Sequence, residues 1–163
     1  MQTPPIDLSH FVQAQDRVYP AVLAELRAGA KRSHWMWFVF PQIVGLGHSA
    51  AARHYAIRSI AEARAYLADP LLGGRLRECV AAMLANRARG AEDILGAVDA
   101  IKFRSSLTLF EQAEDDSGGE GTDGQGTGGE GTNAGEPGLF GAALDAFYDG
   151  DRDEATLRIL QDG

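Results

Sequence analysis

Apolar positions recur at helical spacing along most of the chain. Leu8, Phe11 and Val12 keep a three-to-four residue period, and Val18, Val22 and Leu26 repeat it before Gly29 offers a C-terminal stop. Pro20 falls where the first turn of a helix tolerates proline. Ser59 and Glu62 have the spacing of a reciprocal cap, which predicts a helix over 60–68. Asp69-Pro70 then supplies an N-cap and a preset first φ, and Leu72, Leu76, Cys79, Val80 and Met83 line one face of the next helix. A short helix is expected over 91–95. Asp99 is expected to cap a longer one that buries Phe103, Leu107 and Phe110. Phe140, Ala143, Leu144 and Phe147 resume the period, and Asp151 with Glu154 three residues on predicts the cap of a last helix.

Two stretches break the pattern. Trp35-Met36-Trp37-Phe38-Val39-Phe40 is an unbroken apolar run ended by Pro41, compatible with a buried strand or a tight helical turn. Residues 113–137 hold nine glycines and seven acidic residues with no basic or aromatic one. Such a segment cannot bury enough apolar surface to offset the entropy of ordering, so a flexible, disordered insertion is expected. No alternating strand pattern occurs. The expected architecture is all-α: one compact multihelical domain over 6–163, interrupted by that low-complexity loop.

Composition adds constraints. At 163 residues and 45% hydrophobic, the chain suits a single core. No apolar run approaches the roughly 18 residues of a membrane span, and the start of the chain lacks the pattern of a signal peptide, so a cytoplasmic location is expected. Cys79 is the only cysteine, which removes disulfides and Cys-x-x-Cys chemistry. The net charge of −8 is unevenly placed: residues 1–110 carry +4 and residues 111–163 carry −12. The first part can accept an anionic ligand, while so modest a surplus beside an acidic tail argues against nucleic acid.

Two polar clusters stand out. One is Lys31, Arg32, Ser33 and His34 running into Trp35 and Trp37, with Gln42 and the glycines of Gly45-Leu46-Gly47 beyond; the other is Lys102, Arg104 and Ser105. Cationic groups, hydroxyls and flat rings are what a phosphate-bearing nucleotide requires, so these ten side chains are the candidate ligand contacts. Asp99 is the candidate acid or base, with helix capping as its simpler role. Gly45-Leu46-Gly47-His48-Ser49-Ala50 matches a dinucleotide fingerprint but lacks the strands that motif needs. The four histidines show no metal-ligand spacing; no metal site and no cofactor are expected. Ser33 beside His34 is sequence adjacency without triad geometry.

The segment Lys31-Arg32-Ser33-His34-Trp35-Met36-Trp37-Phe38-Val39-Phe40-Pro41-Gln42 followed by Gly45-Leu46-Gly47 resembles the domain-of-unknown-function 1810 family, whose members sometimes bear the label calpastatin. The likeness continues through Lys102-Phe103-Arg104-Ser105-Ser106-Leu107-Thr108 and Asp151-Arg152-Asp153-Glu154-Ala155-Thr156. It implies a compact helical fold and no settled activity, and the expansion over 113–137 departs from it. The fold also looks like that of helical enzymes acting on ADP-ribose compounds, with no motif matching residue by residue. Two functions follow as expectations: binding, with or without hydrolysis, of a phosphate-bearing nucleotide or ADP-ribose-like ligand; or a non-catalytic protein-interaction module.

Overall fold

A computed structural model describes residues 6–121, the last seven by backbone alone, and 138–162. The described residues are helical: α1 Ser9–Ala28, α2 Met36–Val39, α3 Ala50–His54, α4 Ile60–Ala68, α5 Pro70–Ala85, a 3₁₀ turn Arg87–Arg89, α6 Ala91–Leu95, α7 Ala97–Gly121, α8 Leu139–Tyr148 and α9 Glu154–Asp162. Among them the one β-type pairing is an isolated parallel bridge between Ile43 and Ile57. No helix is long and apolar enough to cross a membrane, among the residues described.

Local chemistry sets most of the boundaries. Ser59 accepts the Glu62 amide, and Asp69 accepts those of Leu71 and Leu72 with Pro70 in the first turn of α5. Gly29 ends α1 in the left-handed region at φ 73°, its amide donating to Leu26 while that of Ala30 reaches Glu25. Gly73 serves packing instead: a Cβ there would stand 2.2 Å from the Leu67 carbonyl, so only glycine lets α5 leave α4 at this angle.

Four expectations need correction. α1 runs through Pro20 without a break, because Phe11, Gln15, Val22 and Leu26 are buried along one continuous face and the proline lies on the exposed side. The helix expected to be capped by Asp99 begins three residues earlier, with Asp99 in its first turn and its carboxylate on lysines. Asp153, not Asp151, caps α9 by accepting the Thr156 amide. Lastly, α7 extends to Gly121, with Ala113 fully buried, so the expected loop does not begin at 113. The rest of that expectation, residues 122–137, lies outside the described residues.

α7 is the axis of the molecule. From Ser105 to Phe110 it is buried on all sides, packed by α4, α6, α8 and α9, while α5 joins α1, α4 and α8 into the same core. Phe103, Phe110 and Phe140 are fully buried, as are Phe11 of α1 and Tyr66 of α4, whose rings meet edge to face at 5.2 Å. The apolar run resolves as the single turn α2, with Trp35, Met36, Phe38, Val39 and Phe40 all buried. Gln15 is buried too, and satisfied: its amide donates to the Phe38 carbonyl and to the Tyr66 hydroxyl, and its own carbonyl accepts from Arg75.

Candidate functional site

The loop joining α1 to α2 carries the first polar cluster, and one carboxylate shapes it. Glu25, in the last turns of α1, accepts four hydrogen bonds: the amides of Arg32 (2.9 Å) and Ser33 (3.1 Å), the Ser33 hydroxyl (2.6 Å) and the Trp35 indole N–H (2.9 Å). Burial pushes the Glu25 carboxyl up, but the hydrogen bonds from Ser33, Arg32 and Trp35 outweigh it and hold the group at about 2. A further bond from the Lys31 amide to the Ile94 carbonyl ties the loop to α6.

Held this way, the Lys31 side chain runs inward. Its Nζ lies 2.9 Å from Asp99 Oδ2 and 5.0 Å from the Trp35 ring centre, and the side chain is only 7% exposed. Lys102, one turn along α7, places its Nζ 3.8 Å from the other Asp99 oxygen and 5.7 Å from the Trp37 ring. Two ammonium groups from segments about seventy residues apart thus share one carboxylate between two indoles. The trio carries one unit of positive charge. Lys102 is the looser and more exposed of the two cations, at 29%.

Of the ten predicted contacts, Lys31, Trp35, Trp37 and Lys102 come together around Asp99. Trp35 is fully buried and is a wall rather than a free platform, whereas Trp37 is half-buried. Arg32 and His34 are exposed on the loop, the Ser33 hydroxyl is taken by Glu25, and the backbone carbonyl of Gln42 accepts the Ile57 amide beside the Ile43–Ile57 bridge.

Arg104 and Ser105 belong elsewhere. Two residues beyond Lys102, Arg104 projects about 200° around the helix. Its guanidinium meets Asp151 (2.9 Å) and Asp153 (3.8 Å), and the Ser105 hydroxyl donates to Asp153 (2.9 Å). Thr108 accepts the Asp153 amide, while Arg152 grips Glu111 through two nitrogens. The two sequence motifs that stand forty-five residues apart are therefore the halves of one clamp that fastens the α8–α9 elbow onto α7. A cleft of about 420 Å³ opens beside it, between Glu92, Ile101, Arg104, Phe147 and Tyr148.

Sequence reasoning missed Glu25, Glu111 and Asp153. Asp153 carried a signal, since an acidic residue three before Thr156 fits an N-cap; Glu25 and Glu111 sit at ordinary helical positions and reveal their role only through partners distant in sequence.

A family model described as protein of unknown function (DUF1810) matches residues 5–120. The crystal structure of the conserved hypothetical protein Rv1873 from Mycobacterium tuberculosis is similar over 97% of this chain and 99% of that one, at 42% identity and a TM-score of 0.82. No curated protein matches the chain.

Proposed function

We propose, for a chain that belongs to the DUF1810 family of proteins of unknown function, that the surface formed by Lys31, Asp99, Lys102 and Trp37 binds a phosphate-bearing nucleotide-type ligand. The observation that carries this reading is the convergence of the two lysines on Asp99 beside Trp37. Lys102 is the cation with room to turn toward a phosphate oxygen, and Lys31 keeps Asp99 compensated when it does. The Trp37 ring offers a face for a base. Arg104 and Ser105 take no part, being engaged by the α8–α9 elbow.

The geometry supports binding better than turnover. Glycosidic hydrolysis uses two carboxylates across the scissile bond. Here, both Asp99 oxygens face ammonium groups, and the ion pairs of the described residues bring no second carboxylate to Lys31 or Lys102.

Thermal unfolding with ADP-ribose, adenosine monophosphate, adenosine and inorganic phosphate tests the proposal. A ligand at about 100 times its dissociation constant stabilises by about 2.7 kcal/mol, or roughly 5 to 11 °C at this length. The expected result is a shift with the phosphorylated compounds that Lys102→Ala removes. No shift with any of them, or a shift that persists in Lys102→Ala, rejects this reading.

A non-catalytic interaction module is the second reading. Val98 and Ile101 favour it, being 66% and 62% exposed on the α7 turns beside Lys102. Under that reading, replacing both with serine alters self-association or partner capture and leaves nucleotide shifts absent throughout.

A further inference from the structure

On the far side of α1 from its packing with α5, the helix shows a face that its neighbours cover only in part. His10, Gln13, Ala14 and Arg17 follow one another there at helical spacing and form one wall of a cleft of about 340 Å³; Phe38 and Tyr55 form the other. The walls are rich in rings. The His10 imidazole lies nearly parallel to the Tyr55 ring, 14° between planes and 5.8 Å between centres, and Phe38 meets Tyr55 at 5.2 Å. His54 lies alongside, 5.3 Å from His10 and 4.5 Å from Tyr55.

The charge around this cleft is one-sided. Arg17 is exposed and enters no ion pair or hydrogen bond among the described residues, and the carboxylate next to it in sequence, Asp16, is held 2.9 Å from Arg75. Arg58 is a positive neighbour of His10. The opposing carboxylate is Asp7, and its Oδ1 already accepts the amide and the hydroxyl of Ser9 (3.0 and 2.7 Å). The cleft therefore combines a π surface with an unengaged guanidinium and lacks an acidic group among its lining residues.

We propose that this cleft binds a small aromatic anion, with its ring laid against Tyr55 and His10 and its carboxylate or phosphate on the Arg17 guanidinium. A guanidinium fork recognises such planar or tetrahedral oxyanions in bidentate fashion, and the volume admits a single ring. The site shares no residue with the Lys31–Asp99–Lys102 cluster, so its occupancy is independent of the nucleotide reading.

Benzoate is the probe, followed through the His10 and His54 imidazole proton resonances of the full chain. Benzyl alcohol supplies the ring without the charge, and acetate the charge without the ring. The expected outcome is saturable movement of both resonances with benzoate, about tenfold tighter than with either control. Arg17→Ala should weaken it by about tenfold, as for loss of a charged hydrogen bond, and Lys102→Ala should leave it unchanged. Arg17 lies on the surface, so its replacement tests recognition and not folding. Absence of saturation with benzoate, equal binding of benzyl alcohol, or indifference to Arg17→Ala would each overturn the proposal.

Discussion

Glu25 does more for the candidate site than any residue that faces it. Without its carboxylate, the Ser33 hydroxyl, two loop amides and the Trp35 indole lose their acceptor, and Lys31 loses the backbone that aims it at Asp99. Glu25→Ala is expected to cost about 1–3 kcal/mol at neutral pH, read from urea unfolding. The pH dependence has a definite sign. The folded carboxyl is held at about 2, against 4.5 for an ordinary glutamate, so the stabilisation is present above 4.5 and is lost as pH falls toward 2. Difference curves between wild type and Glu25→Gln should accordingly close over that interval. From the sequence, Ser33 and Trp35 read as ligand donors. A hydroxyl and an indole next to a lysine look the same whether their partner is a phosphate or a carboxylate eight residues back. Lys31, Lys102 and Asp99 were legible as chemistry, whereas their meeting was not, because it depends on how α6 and α7 present themselves to the loop.

At the scale of elements, helices whose ends are decided locally were legible and those decided by tertiary partners were not. Ser59, Asp69 and Gly29 act on amides and carbonyls within a few residues, and their helices begin or end as the pattern predicts. Asp151 and Asp153 are equally good capping residues; Arg104 takes the first, and Ser105 with Thr156 takes the second, which decides where α9 starts. Pro20 shows the same override, since burial along both halves of α1 outweighs one missing hydrogen bond. The α9 clamp makes a quantitative expectation possible. Asp153→Ala removes the cap and leaves the Ser105 hydroxyl only the Ile101 carbonyl as acceptor, for about 1–2 kcal/mol, or a fall in Tm of roughly 2–8 °C by calorimetry. Asp151→Ala, which leaves Arg104 within reach of Asp153, should cost less than half of that.

Across the whole molecule, the division between a mildly basic first part and an acidic last part persists as a spatial relation as well as a compositional one. Asp151 and Asp153 from the acidic part neutralise Arg104 of the first, while Lys31 and Lys102 stand at one candidate site and Arg17 at the other. The central position of α7 has a consequence for the chain as it is made. Its rings face partners on both sides of the sequence, with Tyr66 and Phe40 coming before it, and Phe140, Phe147 and Tyr148 after. A nascent chain that has left the ribosome only as far as the glycine-rich stretch carries α7 half-wrapped, with Phe103 and Phe110 open to solvent or to a chaperone. The time taken to translate that stretch is the time for which this rod of aromatic surface stays uncovered.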